Sequence, residues 1–360
     1  MTHRTLHRTK RFLGGAMLAA LFASVPPAAD AASRTLDIYF IDVEGGQATL
    51  VVTPAGESLL IDAGYPNEGT FASKPGDPTE ARDPQRILAA AHDAGISRID
   101  YLMITHFHGD HVGGVVELSQ LLPIRAFIDH SAPLPEADVA VSGTQLLYNA
   151  YLTRRARATH LQPQPGDRLP LKGVEAIIVS AAGQTITEPL KGAGAVNPSC
   201  AGTGLPAQES TENPRSTGVR IAFGKFRFLD VGDLTGPPLF ALTCPRNLIG
   251  ESDVYLVAHH GGLDAADPAM FTAVNPLVAV INNGPRKGGS AETLATLHQL
   301  PAIDTWQLHR SLIPGAANMP NARVVNDDES TNAWIKISAK ADGTFTVTNG
   351  RTGDMKTYHH

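Results

Sequence analysis

Apolar and polar residues alternate with a two-residue period from Thr35 to Val43 and again from Gln47 to Thr53, with Glu44-Gly45-Gly46 between them. That period sends successive side chains to opposite faces, so two strands joined by a turn are expected. Ser58 to Asp62 reads as a third short strand ending at Ala63-Gly64, and residues 65 to 83, rich in Gly, Pro, Asp and Asn, as a loop. Asp83 is expected to cap a helix over Pro84 to Ala94, with Pro84 in its first turn and Gly95 as its stop. Ile99 to Thr105 is an apolar strand, Gly113 to Leu122 a helix, and Arg125 to Asp129 the next strand. Such a crossover places whatever follows Thr105 at the carboxyl end of a strand, where α/β sheets collect ligands.

Farther along, Gln145 to Arg157 is a predicted helix with Thr144 as its N-cap, and the polar, Gly/Pro-rich residues 182 to 215 form an insertion or a lid. Strands are predicted at Gly218 to Phe223 and Lys225 to Leu229, turning at Gly224, then at Val254 to Ala258 and Val278 to Ile281 around a helix at Ala269 to Val274. Trp334 to Ala339 and Thr344 to Thr348 flank Asp342-Gly343, a hairpin signal within residues 331 to 358. There is no internal repeat. Two β-rich halves, each with chemistry-bearing loops, predict one α/β sandwich over residues 32 to 360.

Composition refines this picture. A hydrophobic fraction of 42% and a charged fraction of 18% are those of a folded globular protein. Arg4, Arg8, Lys10 and Arg11 precede an apolar run from Phe12 to Val25, and Ala29-Asp30-Ala31 offers small residues for cleavage. Residues 1 to 31 therefore read as a signal peptide, which predicts a periplasmic or secreted protein with no membrane span in the mature chain. The net charge of −6 becomes about −9 once those residues are removed, which disfavours stable binding of duplex nucleic acid. The two cysteines, Cys200 and Cys244, could pair in an oxidising compartment or remain separate thiols.

The densest chemistry is Thr105-His106-Phe107-His108-Gly109-Asp110-His111. His106 and His108, two apart on an extended chain, point to one side; Gly109 permits a turn that brings Asp110 and His111 round to face a second ion. Imidazole with carboxylate suits zinc, and also iron or manganese. After the strand ending at Ile281, Asn282-Asn283-Gly284-Pro285-Arg286-Lys287-Gly288-Gly289 is either an anion cradle or a solvated basic turn. His309 either lines the pocket or is structural.

The run from His106 to His111 resembles the His-x-His-x-Asp-His signature of the metallo-β-lactamase superfamily. Leu59 to Gly64 is similar to the family's strand whose aspartate, here Asp62, hydrogen-bonds a ligand histidine. Phe228 to Asp233 resembles the strand ending in a bridging aspartate, here Asp233. Val257-Ala258-His259-His260-Gly261 resembles the late His-His-Gly of the ComEC-type branch, the hydrolase-like module of DNA-uptake competence proteins. The resemblance implies a four-layer αββα sandwich and two zinc ions per chain. His106 and His108 would hold one ion and Asp110 and His111 the other, with Asp233 bridging. One of His259 and His260 would be a ligand and its neighbour would face the substrate; which is which stays open. Asn213 and Ser216 resemble a polar pair of the same branch.

One position departs from the family. The Gly-His ligand expected between the first cluster and the bridging aspartate is here Gly183-Gln184, so another side chain must serve, with His130 the best candidate. The chemistry implied is hydrolysis by a metal-activated hydroxide. Asp110 would accept a proton, the substrate-facing member of His259 and His260 would donate one, and Arg286 or Lys287 would steady the developing anion. The first expectation for substrate is a small or short phosphodiester; an acyl or lactone hydrolase and a non-catalytic zinc-containing envelope binding protein are the rivals.

Overall fold

The computed structural model describes residues 1–3, 35–66, 77–201 and 204–360, so most of the stretch read as a signal peptide lies outside the described residues. The strands in chain order are β1 (Leu36–Phe40), β2 (Thr49–Val52), β3 (Ser58–Ile61), β4 (Ile99–Met103), β5 (Ile124–Ile128), β6 (Thr159–Leu161), β7 (Glu175–Ala181), β8 (Gln184–Thr185) and β9 (Gly218–Phe223). They continue as β10 (Phe226–Asp230), β11 (Val254–Leu256), β12 (Val278–Ile281), β13 (Asp304–His309), β14 (Val324–Asn326), β15 (Ile335–Ala339), β16 (Phe345–Asn349) and β17 (Met355–Tyr358). The α-helices are α1 (Arg82–Asp93), α2 (Gly109–Val112), α3 (Val115–Leu121), α4 (Ala137–Ala140), α5 (Thr144–Arg155), α6 (Gly236–Thr243), α7 (Pro268–Val274) and α8 (Ala291–His298).

Two mixed sheets result, in the orders β17-β16-β15-β1-β2-β3-β4-β5-β6 and β14-β13-β12-β11-β10-β9-β7-β8. Their facing sides share one apolar core: Leu36, Ile38 and Phe40 of the first sheet meet Phe226, Phe228 and Trp306 of the second. The outer sides are covered as well. Tyr39, Leu60 and Leu102 pack beneath Ile87 of α1, Leu118 of α3 and Tyr151 of α5. Leu229, Tyr255 and Ala279 pack beneath Leu242 of α6, Phe271 of α7 and Leu294 of α8. Strands buried on both faces flanked by helices make four layers, αββα, as the family resemblance implies.

Local differences have physical causes. The helix predicted from Gly113 to Leu122 is α3, and a further short helix, α2, that the sequence reading did not predict precedes it across Gly113-Gly114. A Cβ on Gly113 would lie 2.1 Å from the Pro66 nitrogen, so the glycine lets the segment after β3 press against the metal-candidate loop. Helix α1 starts at Arg82, so Asp83 lies inside it and does not cap it. Its carboxylate instead accepts from the Tyr65 backbone N–H at 2.7 Å and from Arg82 Nε. Thr144 likewise does not cap α5; its hydroxyl donates to the Val141 carbonyl.

Residues 182 to 215 run along the second sheet. Leu190 and Gly194 donate backbone bonds to the carbonyls of Leu248 and Asn247, and a Cys200–Cys244 disulfide with an S–S distance of 2.02 Å fixes the far end. The C-terminal hairpin, β15 with β16, continues into β17. No helix among the described residues is long and apolar enough to cross a membrane.

Candidate metal centre

Parallel pairing of β3 with β4, and of β10, β11 and β12 with one another, brings the carboxyl ends of these strands to one edge of the sandwich. Asp62, His106, Asp233 and His260 all follow those ends. The two sheets are tied there by Gln47, whose side-chain amide donates to both oxygens of Asp230 at 3.1 and 3.0 Å and whose backbone N–H donates to the Asp110 carbonyl.

One ligating atom from each of Asp110, His111, Asp233 and His260 lies within 4.8 Å of the others, and all four side chains are buried. His111 Nε2 is 3.1 Å from both Asp110 Oδ2 and Asp233 Oδ2. His260 Nε2 is 3.2 Å from Asp110 Oδ2 and from Asp233 Oδ1. His111 Nε2 and Asp233 Oδ2 are a hydrogen-bonding pair, whereas His260 Nε2 and Asp233 Oδ1 make no aligned hydrogen bond and are left free to face the shared centre. His106 Nε2, also buried and unpartnered, is 4.0 Å from Asp233 Oδ2, and the His108 ring stands 4.5 Å from that of His106. Buried polar atoms are normally satisfied by protein, by ordered water or by an ion. Imidazoles and carboxylates in this arrangement fit a divalent cation.

The charges agree with that fit. Burial pushes the carboxyl pKa values of Asp110 and Asp233 up, but Lys287 and His111 beside Asp110, and His111, His260 and His259 beside Asp233, hold both well below the usual carboxylate range. Burial, with the neighbouring His111 and His108 charges, holds His106 well below its ordinary value, which leaves it neutral and able to ligate.

Neighbouring groups fix the rings of His111 and His106. His111 Nδ1 is 2.7 Å from Asp62 Oδ2, so its Nε2 faces the centre. Asp62 also accepts from the Thr105 backbone N–H and hydroxyl, at 2.8 and 2.7 Å. Thr105 Oγ1 and Ser216 Oγ lie 3.1 and 3.4 Å from His106 Nδ1. His259 and His260 both take left-handed backbone angles, φ of 48° and 55°, which are costly for residues bearing a Cβ. The conformation is held by His259 N–H donating to the Gly232 carbonyl and Gly289 N–H donating to that of His260.

This geometry separates the two late histidines. His260 sits with Asp110, His111 and Asp233. His259 is about a quarter exposed, its Nδ1 is 2.8 Å from Asp264, and its Nε2 lies 3.7 Å from Asp233 Oδ2 and 3.4 Å from Asn213 Nδ2. Burial lowers its pKa, but Asp233 and the Asp264 hydrogen bond outweigh that and raise it to about 9.

Other expected participants lie elsewhere. His130 is buried with its Nε2 3.2 Å from Glu212, a partner 82 positions away that no local pattern reveals, and it is outside the four-donor group. Arg286 projects outward to Glu329. Lys287 turns inward from the same loop onto Asp110 and over the Tyr65 ring. The glycines beside it pack against protein rather than leaving a cradle, since a Cβ on Gly288 would lie 2.2 Å from the His260 carbonyl oxygen. His309 Nε2 is 2.9 Å from Asp42, a structural pairing, and Gln184 is exposed on β8. Asp264, Tyr65 and Glu212 escaped the sequence reading because their relevance depends on contacts made only in the fold.

Residues 41–179 match the metallo-β-lactamase superfamily model. Over 70 residues, 19% of this chain and 19% of the relative, the sequence is 33% identical to a β-lactamase-like protein 2 homolog from Caenorhabditis elegans. Over 65 residues, 18% of this chain and 25% of the relative, it is 38% identical to a hydroxyacylglutathione hydrolase from Rhodopseudomonas palustris (strain BisA53). The chain thus matches about a quarter or less of the length of these relatives. Among solved structures, a mutant of the CmlA β-hydroxylase superposes with a TM-score of 0.44 at 14% identity, covering 79% of this chain and 53% of that one. Residues 41–179, which carry Asp110 and His111 of the clustered donors, are thus similar to the metallo-β-lactamase superfamily.

Proposed function

We propose that the protein is an exported metal-dependent hydrolase that cleaves a small or short phosphodiester. The convergence of Asp110, His111, Asp233 and His260, buried and within 4.8 Å, is the observation that carries the reading. These four would hold one ion, and His106, His108 and Asp233 would hold a second; zinc is the metal their chemistry suits best. A bound pair of divalent ions would supply Lewis-acid polarisation and a water acidic enough to ionise near neutral pH.

The chain's own groups divide the remaining work. His259, steered by Asp264 and reaching solvent, is placed to hand a proton to a leaving group. Lys287, held at the centre by Asp110, brings a positive charge to an anionic substrate. Asp110 is so strongly biased to its ionised form that it suits ligation better than proton acceptance. The inward lysine and the His-His-Gly resemblance to the ComEC-type branch support a phosphodiester. The acidic mature surface favours a small or short substrate over duplex nucleic acid. An acyl or thioester substrate is the second reading, supported by the short match to a hydroxyacylglutathione hydrolase. Export rests on the basic and apolar N-terminal pattern together with the disulfide.

Metal analysis of the purified protein, combined with assays on bis-p-nitrophenyl phosphate, a lactone and nitrocefin, tests the proposal. Two equivalents of zinc and phosphodiester turnover, with His108→Ala lowering the rate by at least about a hundredfold, are expected. Turnover of the lactone or nitrocefin alone would establish the acyl reading. Tight metal binding with no ester turnover would leave a binding protein.

A further inference from the structure

A second site lies on the helix-covered side of the second sheet. A cavity of about 510 Å³ opens between the 191–198 segment and the β9–β10 strands; Lys191, Arg220, Arg227, Asn247, Glu251 and His360 are among its lining residues, and none of the metal-candidate residues is. Arg220 is the unusual member. It projects from β9, where Leu229 and Ile177 are its neighbours in register, and is only 6% exposed. Its Nε is buried without a hydrogen-bond partner, and no carboxylate forms an ion pair with it among the described residues. An unpaired buried guanidinium is costly, and an anion entering the cavity would offset that cost.

The surroundings add positive charge instead of cancelling it. Arg227 lies on the adjacent strand, with its Nη1 2.9 Å from the Lys225 carbonyl and 3.4 Å from His360 Nε2. Lys191 is exposed at the rim. The nearby carboxylates are engaged elsewhere: Glu251 accepts from Asn275 at 3.1 Å, Asp253 from His360 and the Arg227 backbone, and Glu175 pairs with Arg168. In an acidic chain, three cations against one lining carboxylate form a local exception.

We infer that this cavity binds a small, multiply charged oxyanion of the phosphate-ester type, with Arg220 as its buried anchor and Arg227 and Lys191 closing around it. Guanidinium forks match the paired oxygens of such an anion, and three cations from three segments suit oxygens pointing in several directions. The site is independent of the metal centre.

Calorimetric titration of the full chain with inorganic phosphate and with succinate, at constant ionic strength, tests this. Saturable one-to-one phosphate binding is expected, tighter than that of succinate. It should survive His108→Ala and weaken roughly tenfold or more in Arg220→Met. Lys191→Ala, at an exposed position, should weaken it severalfold and serves if Arg220→Met does not fold. Hydrolysis at the metal centre should be unchanged in both. Absence of saturable binding, equal binding by wild type and the Lys191 and Arg220 variants, loss in His108→Ala alone, or tighter binding of succinate would each overturn the inference.

Discussion

At the scale of single residues, the centre depends on groups that never meet a ligand. Asp62 is the clearest. It takes a φ of 61°, uncommon for an aspartate, and spends both oxygens on Thr105 and His111. Those contacts fix which nitrogen of His111 faces inward and hold the start of the histidine run in place. Removing such an oriented partner costs metal affinity without removing a ligand. Asp62→Asn, which cannot accept from the imidazole and from Thr105 as a carboxylate does, should bind zinc about 10- to 100-fold more weakly. Competition against a chromogenic chelator measures this, and an unchanged affinity would show that the ring is positioned by packing alone.

At the scale of elements, Asp83 links α1 to the segment leaving β3. Its pKa is pushed up to about 6 by burial, against the opposing pull of Arg82 and the Tyr65 N–H. The folded protein therefore holds this proton more tightly than the unfolded chain, whose aspartate titrates near ~4. The resulting stabilisation is complete below that unfolded value and is lost as pH rises through about 6. Relative to Asp83→Asn, the wild type should lose up to about 3 kcal/mol between pH 4 and pH 7. Urea unfolding of both proteins in chelator at the two pH values gives the comparison; parallel changes would disprove the linkage.

The same helix shows what sequence can and cannot convey. Proline and glycine punctuation located α1 to within two residues, while the carboxylate expected as its cap turned to a loop partner 18 positions back. Strands β9 and β12 match their predicted bounds because runs that are apolar, apart from Arg220 in β9, are stopped by Gly224 and Asn282. Helix α8 and strand β13 escaped prediction; β13 mixes Asp, Thr and Gln with Trp and Leu, and its polar side chains find partners only in the fold. The candidate metal cluster was partly legible because residues 106 to 111 carry two of the four converging donors, Asp110 and His111. The pairings of His130 with Glu212 and of Arg286 with Glu329 were not legible, because side-chain direction at a strand end or turn depends on partners distant in sequence.

At the scale of the whole molecule, the sandwich anchors its second half differently from its first. Residues 182 to 215 cross the outside of the second sheet with one short strand and backbone bonds to residues 245 to 248. A segment held by so few apolar side chains gains little from burial, so a covalent closure matters more there than in the strand-rich core. The Cys200–Cys244 bond closes a loop with a sequence separation of 44. Chain-entropy arguments assign such a closure about 4 kcal/mol, with measured effects usually smaller. The Cys200→Ser, Cys244→Ser double variant should thus unfold at clearly lower urea concentration, by about 2 to 4 kcal/mol, while reductant shifts the wild type to the same midpoint. Zinc affinity should change little, because every metal-candidate donor lies outside residues 182 to 215. Phosphate binding should weaken, because the 191–198 segment walls that cavity. A double variant with lowered zinc affinity and intact phosphate binding would reverse this division, showing that the crossing segment supports the metal centre and not the cationic cavity.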